Sequence, residues 1–172
     1  MPELITVLTA QEIEDKVSSL AAKISEDYKG KELVLVGVLK GSFIFLADLA
    51  RKLSIPVLID FVWCSSYGDG NVSTGKITRV AGLRTDIGGK DVLIVEDILD
   101  TGFTMQDLLT YIWSFNPANV RVCTFIDKQE RRGTDIRADY TGHEVKKGFL
   151  VGYGLDYAEK YRYFPAIYEL KI

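Results

Sequence analysis

The sequence predicts an α/β fold with a mainly parallel central sheet flanked by helices, and three observations carry that prediction. Short, continuous apolar runs stand at residues 33–38 and 92–95. Each is too short for a helix and offers no polar face, as expected of strands buried on both sides of a parallel sheet. Between them lie segments whose apolar residues follow helical spacing, so strand and helix alternate and right-handed βαβ crossovers follow. Finally, no composition break or low-complexity linker divides the 172 residues. A single domain, 1–172, therefore takes in the whole chain, and a chain of this size buries roughly 68–70% of its unfolded surface.

The elements follow in order. Thr9-Ala10-Gln11-Glu12 matches the S/T-x-x-E capping box. Behind it Ile13, Val17, Leu20, Ala21, Ile24 and Tyr28 keep one helical face apolar, and Gly30 supplies a stop. The first strand, residues 33–38, leads through Lys40-Gly41-Ser42 into a second helix marked by Phe43, Leu46, Leu49 and Ala50, with Ser42 as its N-cap. Pro56 closes the link, and residues 57–64 form a second β-rich run. Residues 65–75 are polar and Gly-rich, and a loop that long without its own pattern points to a functional segment. After the strand at 92–95, Met105, Leu108, Leu109 and Ile112 mark a third helix, stopped at Asn116-Pro117. Residues 120–126 and 149–151 give the fourth and fifth strands.

Composition excludes several functions. With 21 Lys+Arg against 24 Asp+Glu the net charge is −3, whereas a general nucleic-acid binder carries a broad basic face. No apolar run approaches the ~18 residues of a membrane span, and Met1-Pro2-Glu3-Leu4 begins no secretory signal. Cys64 and Cys123 lie in apolar stretches, which reads as buried, reduced thiols in a cytoplasmic protein. A zinc site is not expected, because His143 is the only histidine and no Cys-x-x-Cys pair exists. His143 sits in a polar stretch and reads as a surface residue without chemistry.

The chemistry concentrates at residues 92–104. A buried strand ends in Glu96, Asp97 and Asp100, and ligands of open α/β sheets bind at the carboxyl ends of the strands. Asp100-Thr101-Gly102-Phe103-Thr104 then enters a helix, where backbone N–H groups and small hydroxyls cradle phosphate. Taken alone, Asp-Thr-Gly-x-Thr slightly favours reading Asp100 and Thr104 as simple helix caps. The full string, a buried strand, two acids, two apolar residues and Asp-Thr-Gly-x-Thr, resembles the phosphoribosyl-diphosphate-binding motif of type I phosphoribosyltransferases. Three further segments extend the resemblance to the hypoxanthine-guanine branch of that family. Val36-Gly37-Val38-Leu39-Lys40-Gly41-Ser42-Phe43 is similar to its diphosphate loop, and Ser65-Ser66-Tyr67-Gly68 to the start of its mobile catalytic loop. Phe149-Leu150-Val151-Gly152-Tyr153-Gly154-Leu155-Asp156-Tyr157, followed by Arg162, is similar to its purine- and metal-binding segment.

That resemblance implies a type I phosphoribosyltransferase fold, with a small hood built from the terminal segments over the central sheet. It implies purine salvage: transfer of the 5-phosphoribosyl group from phosphoribosyl diphosphate to hypoxanthine or guanine, giving IMP or GMP and diphosphate. Asp100 takes the place of the general base at purine N7. Glu96 and Asp97 match positions that contact ribose hydroxyls, directly or through Mg²⁺, and Asp156 matches a third metal-associated carboxylate. Thr101, Gly102, Phe103 and Thr104 enclose the 5′-phosphate; Phe103 stands where relatives can carry a basic residue, so phosphate binding there rests on N–H groups and threonines. Leu39, Lys40, Gly41 and Arg162 meet the diphosphate, and the peptide before the lysine can be cis in this family. Ser66 and Tyr67 close over the site. Lys128 donates to the purine 6-oxo group, within a stretch, residues 127–132, whose composition departs from several relatives. Phe149 stacks on the base, and Leu150 offers it backbone contacts. The expected partners are the two substrates, with no nucleic acid or membrane, in a homodimer or homotetramer. Two alternatives share the motif: an enzyme preferring xanthine, and a nucleotide- and RNA-binding regulator, against which the net charge and the C-terminal segment count.

Overall fold

The computed structural model describes residues 2–66 and 77–171. In chain order the elements are β1 (Glu3–Leu8), α1 (Ala10–Asp27), β2 (Leu33–Leu39), α2 (Phe43–Lys52), β3 (Val57–Ser66), β4 (Ile77–Ala81), β5 (Asp91–Leu99), α3 (Phe103–Trp113), β6 (Asn119–Lys128), β7 (Tyr140–Val145), β8 (Leu150–Val151) and β9 (Ile167–Lys171). Six strands make the central sheet in the order β4-β3-β2-β5-β6-β7. Five of them run parallel, and β4 pairs antiparallel with β3 at one edge.

The strand order decides where a ligand can sit. The chain leaves β2, crosses through α2 and returns as β3 on one side of it, whereas β5 lies on the other side. The loops after β2 and β5 therefore diverge, opening a crevice at the carboxyl ends of two adjacent strands, the switch point where open α/β sheets bind ligands.

Pleating explains why the parallel strands read as unbroken apolar runs. In β2, Leu33 and Leu35 face one core with α1 and α2, while Val34, Val36 and Val38 face a second core with α3. β5 repeats the pattern, with Leu93 and Val95 on the first side and Val92 and Ile94 on the second. Successive side chains point to opposite faces and both faces are covered, so no polar position survives.

The capping box forms as expected: the Glu12 N–H donates to Thr9 Oγ1 at 3.2 Å, and the Thr9 N–H donates to Glu12 Oε2 at 2.8 Å. Three expectations are corrected. Ser42 does not cap α2 through its side chain; its backbone is already helical, and its hydroxyl is buried without a partner. Residues 150–151 belong not to the central sheet but to a separate antiparallel sheet, β1-β9-β8. That small sheet joins both terminal segments, and Leu8 and Ile167 anchor it to the first core. His143 is part of β7 and half-buried rather than on an exposed stretch. Among the described residues no helix is long and apolar enough to cross a membrane.

Candidate active site

A cavity of about 330 Å³ occupies the crevice between the β2 and β5 loops. Leu39 and Gly41 line it from the first loop, Glu96, Asp97, Asp100, Thr101, Gly102 and Thr104 from the second, and Asp156 from the segment after β8. Nine residues marked by the sequence thus converge from three separate stretches. Cys64 also lines the cavity and is half-buried, so only Cys123 is the fully buried thiol expected of both.

The Leu39–Lys40 peptide is cis, as the resemblance allowed. Gly41 follows because nothing larger fits: a Cβ there would sit 1.8 Å from Asp97 Oδ2. The loop after β2 is therefore pressed against the Asp97 carboxylate with no side chain between them.

Glu96 and Asp97 lie near the end of β5, where Glu96 is buried and Asp97 half-buried. The Asp97 N–H donates to Glu96 Oε1 at 3.1 Å, and the Ile98 N–H donates to Asp97 Oδ1 at 2.8 Å. Burial pushes both carboxyls above their ordinary range, and for Glu96 the neighbouring Asp97 charge adds to the rise. Two adjacent, largely enclosed acids that resist ionisation are a place where a cation, or hydroxyls that hydrogen-bond them, would be welcomed.

Asp100 follows two residues of strand later. One of its oxygens, Oδ2, is paired with Arg131, while Oδ1 is buried and has no partner among the described residues. Then the chain turns into α3 through Gly102, whose φ of 89° lies in the left-handed region that favours glycine. No side chain caps this helix, so its first-turn N–H groups point at the cavity end with little internal satisfaction; the Phe103 N–H has only a long 3.4 Å contact to Thr101 Oγ1. Those donors, with the Thr101 and Thr104 hydroxyls, are the kind of groups that hydrogen-bond an anion at a helix N-terminus. The Phe103 ring turns away to pack against Gly133.

Arg162 is held by three acceptors: the Gly154 carbonyl at 2.8 Å, Asp156 Oδ1 at 2.9 Å and Glu159 Oε1 at 3.1 Å. Lys40 Nζ meets the other oxygen of Glu159, Oε2, at 2.8 Å. The two cations pull the Glu159 carboxyl below its ordinary range, Lys40 most. Phe149 is exposed, its ring 5.5 Å from that of Tyr157 and nearly perpendicular to it, and Leu150 beside it is buried. Lys128 is buried at the end of β6, with Nζ 3.5 Å from Glu130. Lys40, Phe103, Lys128, Phe149, Leu150 and Arg162 are not among the residues that line the cavity. Ser66 ends β3, and Tyr67 lies outside the described residues.

Three participants escaped the sequence reading: Glu159, Arg131 and Arg132. Arg132 is the tie of the site. Its guanidinium donates to the backbone carbonyls of Asp100 at 2.8 Å, Leu99 at 3.1 Å and Ile136 at 2.9 Å, and it is paired with Asp127. It thereby fixes the Asp100 turn to the end of β6. The acid-to-arginine density of residues 127–132 was the available signal, since a planar five-donor group beside buried carbonyls is the residue suited to such a tie.

Residues 5–158 match the family described as a phosphoribosyl transferase domain. Over 170 residues the chain is 46% identical to the hypoxanthine-guanine phosphoribosyltransferase of Aquifex aeolicus, covering 98% of this chain and 96% of that one. It is 43% identical over 169 residues to the enzyme of that name from Dictyostelium discoideum, covering 96% and 94% respectively. A crystal structure of a Bacillus anthracis hypoxanthine-guanine phosphoribosyltransferase, with HEPES in the active site, matches with a TM-score of 0.92 and 39% identity over 100% of both chains.

Proposed function

The chain belongs to the phosphoribosyl transferase domain family, and on that premise we propose that it carries out purine salvage by phosphoribosyl transfer. The reaction joins hypoxanthine or guanine to the anomeric carbon of phosphoribosyl diphosphate, forming IMP or GMP and releasing diphosphate. The observation that carries this reading is the single cavity bounded by the Asp100–Thr104 anion turn, the buried Glu96–Asp97 pair and the Leu39–Gly41 loop. It offers, side by side, a phosphate cradle, acceptors for two ribose hydroxyls and a loop for the leaving group.

The steps follow from those groups. The N–H groups and hydroxyls of Thr101 to Thr104 hold the 5′-phosphate, which fixes the ribose above the sheet. Glu96 and Asp97 accept from the ribose hydroxyls, and a partner of this kind repays the burial of their charge. Phe149 stacks on the purine while Leu150 offers backbone groups to its edge. The Lys128 ammonium, a donor only, meets the 6-oxo group. Asp100 takes the N7 proton through its unpartnered Oδ1, while Arg131 keeps the other oxygen fixed. Lys40 and Arg162 receive the diphosphate as the anomeric bond breaks, so charge developing on the leaving group meets cations already in place.

The donor set suits Mg²⁺, since Glu96, Asp97 and Asp156 offer only oxygen. Among the described residues no three metal-binding side chains gather closely enough to hold an ion alone. Mg²⁺ is ordinarily held by one or two carboxylates together with substrate phosphates, which fits a site completed by the substrate. Bound there, it neutralises negative charge on the diphosphate. We further read residues 1–172 as one phosphoribosyltransferase domain, acting in the cytoplasm as a homodimer or homotetramer; the two thiols without a disulfide support the compartment.

Nucleotide formation from phosphoribosyl diphosphate and Mg²⁺ with hypoxanthine, guanine and xanthine, each alone, tests the reading. IMP and GMP are expected. A strong preference for xanthine would replace the substrate assignment, and no turnover of any base would reject the activity.

A further inference from the structure

We propose that Glu159 is a built-in stand-in for the diphosphate, a carboxylate that occupies the two leaving-group cations until substrate displaces it and that competes diphosphate off them afterwards. This rests on the proposed function, which makes Lys40 and Arg162 the groups that receive diphosphate.

Geometry supplies the first support. One carboxylate spans both cations, with Oε2 2.8 Å from Lys40 Nζ and Oε1 3.1 Å from the Arg162 guanidinium. Two oxygens of a diphosphate would make the same bridge. Lys40 lies on the loop after β2 and Arg162 near the C-terminus, so Glu159 joins segments 119 residues apart. Of the three acceptors on Arg162, the Gly154 carbonyl is backbone and the Asp156 side chain is largely enclosed at 29% exposure. Glu159 is the solvent-facing one, at 64%. It is the partner that can leave without unmaking the fold.

The backbone supplies the second. The Tyr157 N–H donates to the Lys160 carbonyl at 3.1 Å and the Lys160 N–H returns to Tyr157 at 3.0 Å, closing a two-residue turn around Ala158 and Glu159. Both central residues have positive φ, 50° and 63°. That is the type I′ arrangement, which strongly favours Asn-Gly and for which Ala-Glu is a poor sequence. Beside those two backbone bonds, Glu159 adds contacts that hold the turn: its carboxylate bridges the cations, and its N–H donates to Asp156 Oδ2 at 2.9 Å. Once diphosphate takes the cations, the side-chain bridge is gone and an unfavourable turn keeps only its backbone bonds, so the Glu159 carboxylate can swing clear of the incoming substrate.

Titration calorimetry of inorganic diphosphate with Mg²⁺ into the full chain tests this with Glu159→Gln and Glu159→Gly. Glutamine keeps the side chain's shape and removes its charge; glycine also suits the positive φ, so the turn itself is not the casualty. Both variants should bind diphosphate about three- to tenfold tighter than wild type, the range expected on removing two competing exposed ion pairs. The KM for phosphoribosyl diphosphate should fall alongside. Unchanged or weaker binding in Glu159→Gln, or tightening only in Glu159→Gly, overturns the proposal while leaving the proposed function standing. A wild-type chain that binds no diphosphate overturns both.

Discussion

Replacing Gly41 with alanine tests the closeness of the two loops that form the cavity. The new Cβ would lie 1.8 Å from Asp97 Oδ2, 2.5 Å from its Cγ and 3.1 Å from Oδ1, all atoms of one side chain. Ordinary contact begins near 3.4 Å, so the carboxylate or the loop must retreat by about 1.6 Å. Overpacking of this kind costs typically about 1–3 kcal/mol, and displacing a substrate-positioning group by ~1 Å costs about 100-fold in rate. The expected result is a kcat/KM for IMP formation lower by roughly two orders of magnitude, with a melting temperature lower by some 2–10 °C for a chain of this size. Because every close atom belongs to Asp97, the stability loss should largely disappear when Gly41→Ala is made in an Asp97→Ala background. An equal loss in both backgrounds, read by thermal unfolding, would refute the contact as the cause.

Two further expectations concern the supporting structure. Arg132→Met leaves the buried Asp127 carboxylate without its partner, a loss of about 3–5 kcal/mol, so the melting temperature should drop by roughly 10 °C and Asp127→Asn should restore part of it. An unaltered melting curve would remove Arg132 as the tie between β5 and β6. Asp60→Asn acts where one carboxylate accepts the N–H groups of Phe61 and Arg84, both at 2.8 Å, and Thr85 at 2.7 Å. Burial pushes this carboxyl up, but those donors outweigh it and hold it below its ordinary range. A lowered carboxyl stabilises the fold above the unfolded value near ~3.9 and stops doing so as pH falls through the folded one. Asparagine should therefore cost about 1 kcal/mol at neutral pH, the gap closing in strong acid; a gap independent of pH would contradict the sign.

Much of this was legible in the sequence because burial on two faces erases alternation. Residues 33–38 and 92–95 could only be central strands, and the acids after them could only lie at the sheet's carboxyl edge. The strands missed are those whose pattern is diluted by exposure or by pairing across the whole chain. Glu3–Leu8 is mostly solvent-facing and is a strand only because residues 167–171 come back to pair with it. The Tyr140–Val145 strand carries Gly142 and His143 and lies at the edge of the sheet. At the site, local motifs were readable and distant pairings were not. Nothing in the spacing of Lys40 and Glu159 foretells an ion pair; it exists because a turn after β8 folds over the loop after β2. Arg131 meets Asp100 for the same reason, through a loop that returns along β5.

The most direct measurement is the rate of IMP formation by Asp100→Asn beside its dissociation constant for phosphoribosyl diphosphate. Proton transfer by a positioned base is worth about 10²–10⁴-fold, and asparagine keeps the shape of the side chain without its basicity. A fall in kcat of that size with phosphoribosyl diphosphate binding held within a fewfold is the expected result. Unchanged turnover would contradict the assignment of Asp100 as the base, and with it the reading of the cavity at the end of β5.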